Sequence, residues 1–258
     1  MDITEFSTSL ARQAGELLLQ YYRPEGIQSK IKTDRTVVTE ADLAADKFIH
    51  TAIQQTFPDE YILSEEAGTV YPAGKSVVWV IDPLDGTTNF SLGLHYWGVS
   101  IARLVEGTPN SGVLYFPLLD ELYTVSQGGG AFLNGSQLQV RAPDLSHPAT
   151  FFSCCSRTHK QYDVSIRYKT RILGSAAYGL ATIARGSAIL AFEVTPKVWD
   201  FSVSWLITRE AGGVIHPLNG PSPFPLQAGV DYAKISYPLL AAATQELWNE
   251  GQGKIKPR

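Results

Sequence analysis

Val77-Val78-Trp79-Val80-Ile81-Asp82-Pro83-Leu84-Asp85-Gly86-Thr87-Thr88-Asn89-Phe90 is the segment from which the rest of the chain can be read. Its first five residues are apolar without a break, which suits a strand buried on both faces. The run ends at Asp82, and Pro83 sets the following turn. Asp85 comes three residues after Asp82. Gly86-Thr87-Thr88 can then open a helix whose first N–H groups are free and whose dipole is positive at that end. One short stretch thus offers hard oxygen ligands for a cation and, beside them, a cradle for an anion. A plainer reading of the same residues is a strand followed by a capped helix, with Asp85 as cap and Asp82 as turn former.

On the N-terminal side, residues 2–22 carry a helical stripe of Ile3, Phe6, Leu10, Ala14, Leu17, Leu18 and Tyr21. A second helix is expected from Thr39 to Phe57, with Asp42 in its first turn. A short strand, 61–63, runs into Glu65-Glu66. On the C-terminal side, strand-like runs near 96–105, 112–116, 121–126 and 131–133 are separated by turn clusters and read as an antiparallel meander. Residues 142–150 look like a crossover. Beyond it, strands (150–154, 171–173, 188–193) alternate with helices (159–170, 176–185, 200–211). The chain therefore reads as α+β, with an N-terminal α+β half at 1–145 and a C-terminal α/β half at 146–258. The Pro-rich stretch 217–238 yields no assignment.

Glu65, Asp82, Asp85 and Asp200 all fall at switches from strand to loop or helix, where α/β sheets gather ligands. Four carboxylates gathered there repel one another unless cations neutralise them. An all-oxygen set selects Mg²⁺, Mn²⁺ or Ca²⁺ over zinc, and Mg²⁺ suits a few carboxylates plus a substrate phosphate. Other chemistries find little support. Gly68 to Lys75 imitates a phosphate-binding loop but has one residue too many between its glycines and leads into a strand. The five histidines are scattered and the two cysteines, Cys154 and Cys155, are adjacent. Lys plus Arg total 21 against 25 Asp plus Glu, a net charge of −4, which argues against a nucleic-acid binder. No apolar run is long enough for a membrane span, and the first residues show no signal segment, so a cytoplasmic protein is expected.

Glu65-Glu66, the segment Asp82–Phe90, Trp199-Asp200 and Glu210-Ala-Gly-Gly-Val-Ile215 together resemble the signatures of the inositol monophosphatase family. Lys32, Val38–Asp42 and Gly174-Ser175-Ala176-Ala177 resemble further motifs of that family, in the same order. The resemblance implies Mg²⁺-dependent, lithium-sensitive phosphomonoesterases with a layered αβαβα sandwich: an antiparallel sheet in the N-terminal half, a smaller mixed sheet in the C-terminal half, and usually a homodimer. It implies that Glu65, Asp82 and the Leu84 carbonyl hold one Mg²⁺, that Asp82, Asp85 and Asp200 hold a second, and that a third ion is shared by Glu65 through water. Thr87 would orient the attacking water, Asp42 would accept its proton, and the N–H groups of Gly86 and Thr87 would cradle the phosphate. Ala176 and Glu193 would lie on the substrate side, Glu193 accepting hydroxyls of a sugar-like leaving group. The expected substrate is a small phosphorylated metabolite, inositol monophosphate first. Histidinol phosphate, nucleotide 3′,5′-bisphosphates and fructose 1,6-bisphosphate are alternatives on the same site; a non-catalytic metal- or phosphate-binding protein is a weaker one. Ser64 stands where the family often has glycine, a departure expected to be harmless.

Overall fold

The computed structural model describes residues 2–31, 37–140 and 150–258. Helix α1 (Ile3–Tyr21) begins at Asp2, whose carboxylate accepts the Thr4 N–H. Strands β1 (Lys30–Ile31) and β2 (Val37–Val38) form a small antiparallel pair. Helix α2 (Glu40–Thr56) starts with a reciprocal cap between Thr39 and Asp42. Then come β3 (Tyr61–Ser64), β4 (Val77–Asp85), the short α3 (Thr87–Ser91), β5 (Gly98–Val105), β6 (Thr108–Phe116), β7 (Glu121–Ser126), β8 (Gly130–Leu133) and β9 (Ser136–Leu138). The second half holds β10 (Phe151–Cys154), α4 (Thr158–Gln161), β11 (Tyr162–Val164), β12 (Lys169–Arg171), α5 (Ala176–Ala184), β13 (Ala188–Glu193), α6 (Val198–Glu210), β14 (Val214–Pro217), β15 (Leu239–Ala242), α7 (Gln245–Lys254) and β16 (Ile255–Pro257).

The large sheet runs β3-β4-β5-β6-β7-β8-β9, and its members from β4 onward form the expected antiparallel meander. Its edge departs from expectation: β3 pairs parallel to β4, because the long 65–76 connection returns the chain to the end where β3 began. The small sheet, β12-β10-β13-β15-β14, is mixed as expected.

Five layers result. Leu10, Ala14 and Leu18 of α1, with Ala45, Ile49 and Ile53 of α2, cover one face of the large sheet, meeting Trp79, Ile81, Val99, Ile101 and Val113. Val78, Val80, Leu104, Leu114 and Tyr123 on the other face meet α5 and α6. Those helices rest in turn on Ala188, Ala191, Leu239 and Ala241 of the small sheet, whose far face packs Leu190, Phe192 and Leu240 against Leu247 and Trp248 of α7. The αβαβα sandwich is thus present. Fully buried side chains such as Leu18 and Ile49 contribute about 1.5–3 kcal/mol each.

Three boundaries differ from the sequence reading. The expected helix 159–170 is one turn only, followed by β11 and β12, so the strand expected at 171–173 sits at 169–171. Tyr162, Val164, Ile166 and Tyr168 recur every second residue and pack on the outer core, a strand-like period that overrides the helical one. The supposed turn cluster 107–112 is mostly strand: Glu106 and Gly107, at φ 48° and 75°, make the whole turn, and Val105 pairs with Thr108. Helix α6 begins at Val198, not at Asp200. The unassigned 217–238 stretch is stitched to the 68–76 loop and to the β5–β6 turn. Tyr71 N–H donates to the Val230 carbonyl, Tyr232 N–H to the Thr69 carbonyl, and Leu226 N–H to the Gly107 carbonyl. The expected crossover at 142–149, the 145/146 boundary and Lys32 lie outside the described residues. Among the described residues no helix is long and apolar enough to cross a membrane.

Candidate active site

The strand–turn–helix around Asp82 organises the site. Between Asp82 and Asp85 the pairing of β4 with β5 slips: Asp82 faces Ser100 but Asp85 faces Gly98. Pro83, with no N–H to offer the ladder, lies in this bulge, which re-aims the side chains around it. Asp82 is buried and its Oδ1 accepts the Leu84 N–H at 3.0 Å. Gly86 follows at φ 85°, and a Cβ there would lie 2.7 Å from the Tyr96 carbonyl oxygen, so no other residue fits. No side chain caps α3 at Gly86.

Neighbouring elements bring the other acids. Glu65 N–H donates to the Ile81 carbonyl at 3.2 Å, continuing the parallel pairing and setting Glu65 beside Asp82. Asp200 occupies the first turn of α6, its Oδ2 accepting the Lys197 N–H at 2.8 Å. One carboxylate oxygen each from Glu65, Asp82 and Asp200 lie within 4.8 Å of one another. Asp85 turns toward α5 instead: it accepts the Ser175 hydroxyl and, at 3.2 Å, the Ala176 N–H. The structure therefore brings three of the four expected acidic ligands into one oxygen cluster and holds the fourth at its side. The Leu84 carbonyl accepts the Thr87 hydroxyl at 3.0 Å, and the same hydroxyl lies 3.0 Å from Asp42 Oδ1.

The electrostatics follow from burial. Asp82 is pushed well above the usual carboxylate range by desolvation, then by Glu65, Asp85 and Asp200. Asp200 is raised for the same reasons, burial first and then Glu65 and Asp85. Asp85 is raised to about 6 by burial, with the Ser175 hydroxyl and the N–H groups of α5 opposing. At the starts of α5 and α6 the N–H groups of Ala176 and Lys197 donate to Asp85 and Asp200 and offset part of the repulsion. The principal charges acting on Asp82 are carboxylates, so the cluster has the chemistry of a hard-cation site. Glu65, Asp82 and Asp200 could hold such an ion together.

Asp42 is buried and raised to about 6; desolvation outweighs its bonds to the Thr39 N–H and hydroxyl and to Thr87. Glu193 ends β13, buried, in the wall of a cavity of about 640 Å³ that Glu65, Ser175, Ala176 and Asp200 also line. Burial lifts Glu193 well above its ordinary value, with Cys155 and Asp85 adding to it.

The profile of the inositol monophosphatase family matches residues 1–250. The chain belongs to the inositol monophosphatase family. Among relatives, the Nus factor SuhB of Escherichia coli K12 is 36% identical over 221 residues, covering 81% of this chain and 83% of that one. A histidinol-phosphatase of Chlorobaculum parvum is 36% identical over 227 residues, covering 84% and 86%. The crystal structure of the extragenic suppressor protein suhB from Bartonella henselae superposes with a TM-score of 0.81 at 27% identity, over 97% of this chain and 96% of that one. Within the inositol monophosphatase family these names span different activities, so membership supports phosphatase chemistry and leaves the substrate open.

Two site-building features had escaped the sequence reading. The buried Asn89 amide donates to the Tyr96 carbonyl at 2.6 Å and the Leu173 carbonyl at 2.8 Å, fastening α3 to the turn before α5. Ser64, the departure from the family glycine, donates its hydroxyl to buried Asp46, one helical turn beyond Asp42. It ties the Glu65 strand end to the helix that carries Asp42. A serine before two glutamates was the visible signal; its partner, a lone acid on a helix face, was not.

Proposed function

We propose that this protein hydrolyses a small phosphate monoester in a Mg²⁺-dependent reaction, with inositol monophosphate as the first candidate. The observation that supports this most is the oxygen cluster of Glu65, Asp82 and Asp200 next to the Asp42–Thr87 hydrogen bond. When bound, divalent cations supply charge that offsets the carboxylates, Lewis-acid stabilisation of phosphoryl oxygens, and acidification of water. Glu65, Asp82 and Asp200 would hold them, with Asp85 and the Leu84 carbonyl at the margin. Thr87 then positions the attacking water through its hydroxyl, and Asp42, already bonded to that hydroxyl, takes the proton. Gly86 and Thr87 N–H groups receive phosphate oxygens at the uncapped start of α3. Phosphate release from inositol 1-phosphate should require Mg²⁺ and stop in excess EDTA, with Li⁺ inhibiting. Full turnover in chelator would overturn the reading. The expected homodimer in the cytoplasm is part of the same proposal.

Glu193 supports the polyol preference. It sits in the cavity wall beside Ser175 and Ala176, outside the three-acid cluster. A carboxyl–hydroxyl bond contributes roughly 1.5–3 kcal/mol. Glu193→Ala should therefore lower kcat/KM for inositol 1-phosphate by roughly one to two orders of magnitude. p-Nitrophenyl phosphate, whose leaving group has no hydroxyls to lose, should change much less. Equal losses on both would make Glu193 a support of the acid cluster. A loss confined to histidinol phosphate would favour the amine-bearing substrate, which a buried acid also suits.

A further inference from the structure

Glu65 and Asp200 reach the acid cluster from different elements, one just after β3 and one in the first turn of α6. Outside the cluster a second route joins them. The Ser64 N–H donates to the Gly68 carbonyl at 2.9 Å, so Thr69 stands directly after the turn that carries Glu65. The Thr69 hydroxyl donates to Asp231 Oδ1 at 2.7 Å, and the Tyr232 N–H donates to the Thr69 carbonyl at 2.8 Å. Asp231 Oδ1 also accepts the Ala233 N–H at 3.2 Å, and its Oδ2 pairs with Lys234 at 3.0 Å. The Ala233 carbonyl accepts from Lys197 Nζ at 2.6 Å, and the Tyr237 N–H donates to the Pro196 carbonyl at 3.1 Å. Lys197 is the residue whose N–H donates to Asp200. One carboxylate of the Pro-rich stretch thus stands midway between the Glu65 turn and the start of α6. The Thr69 hydroxyl, and Lys234 after it, hold Asp231 below the usual carboxylate range, so it is ionised at neutral pH. Asp231 does not line the cavity in front of the cluster.

Mg²⁺ demands near-octahedral oxygen geometry, whereas Ca²⁺ accepts varied arrangements. The spacing of Glu65 and Asp200 therefore bears on which ion the cluster holds well. The large sheet sets Glu65 through its N–H to Ile81, and α6 sets Asp200. The 226–237 segment links those two settings by a path that does not run through the core. We propose that this segment is a brace for the spacing, with Asp231 as its positioning residue, and that it tunes the cluster toward small divalent cations. Where a link is lost, affinity falls with the fraction of molecules that keep the spacing. This inference rests on the metal-dependent reading of the cluster and adds a determinant of its ion preference.

The test measures binding of metal alone, without substrate, on the full chain. Mn²⁺ is titrated by electron paramagnetic resonance of the free ion, and Mg²⁺ and Ca²⁺ by their displacement of it. Asp231→Ala should raise the Kd for Mg²⁺ roughly three- to tenfold, the scale of a lost hydrogen bond or two, and leave that for Ca²⁺ within about twofold. Asp231→Asn keeps an oxygen for Thr69 and Ala233 and should restore most of the Mg²⁺ affinity. Thr69→Val cuts only the link toward Glu65 and should weaken Mg²⁺ in the same direction; added to Asp231→Ala it should cost nothing further, since both remove one bond. At saturating Mg²⁺ the KM for inositol 1-phosphate should stay at the wild-type value. Equal losses of Mg²⁺ and Ca²⁺ affinity, or a wild-type Kd for Mg²⁺ in both Asp231→Ala and Thr69→Val, overturn the brace and leave the metal reading standing. A wild type that binds none of the three ions, or binding that Asp82→Asn leaves unchanged, overturns the metal reading and the brace with it.

Discussion

Asp200→Asn should cost roughly three orders of magnitude or more in turnover, while the metal-free variant melts at a higher temperature than the metal-free wild type. The amide oxygen can still accept the Lys197 N–H that begins α6, so the helix start is kept. What disappears is one of the negative charges that Glu65, Asp82 and Asp85 oppose. Losing a charge that, in the proposed ligand set, would hold the cation and balance the transition state accounts for the rate. The stability gain has a definite pH dependence. A carboxyl raised on folding leaves its stability in place at low pH and removes it as pH rises through the folded value. The gap in melting temperature should therefore open above about pH 4 and widen through pH 6, the value to which Asp85 is raised, because Asp82 and Asp200 are raised as well. Mg²⁺ should stabilise the wild type more at pH 8 than at pH 5. Wild-type turnover in the variant, or a metal-free variant less stable at every pH, would remove Asp200 from the proposed ligand set.

Asp42→Asn is the second large effect. Ionised, Asp42 accepts from Thr39 on one oxygen and lies against the Thr87 hydroxyl on the other. Its rise to about 6 means that keeping it ionised at neutral pH costs the fold about 3 kcal/mol. That cost is consistent with a group retained as a base. In the wild type, kcat should fall as pH drops through about 6, as the carboxylate takes up a proton. Asparagine cannot take up that proton, so turnover should drop by roughly 10²–10⁴-fold and the acid limb should vanish. A variant with the wild-type profile, scaled or not, would show that Asp42 only caps α2.

The resemblance to the family and the five-layer architecture were both legible in the sequence. The Asp82–Phe90 segment alone announced a buried strand, a turn and a helix start, and the structure has all three. The acids at 65 and 200 were found because each follows or opens an apolar element. What escaped was the set of long-range fastenings. Asn89 was visible as a residue but not as a clamp, because its acceptor at Leu173 is 84 residues away in the chain. Asp85 looked like its neighbour Asp82, yet Ser175 turns it toward α5, and nothing local records that pull. Tyr162 to Tyr168 misled through composition: charged and polar residues between them resemble a helix surface, while the burial alternates as in a strand.

Helix α6 is buried between the two sheets, its residues Val198, Phe201, Val203, Trp205 and Ile207 among the least exposed in the chain. A helix with no water-facing stripe has no stable place until both sheets are there to receive it. Asp200 rides on that helix, whereas Glu65 follows β3 and Asp82 lies toward the end of β4 in the large sheet. The acid cluster is thus assembled by tertiary docking alone, and neither the large sheet nor α6 by itself can offer it. A chain in which α6 has not docked therefore presents two of the three oxygens and has no cluster to offer a cation.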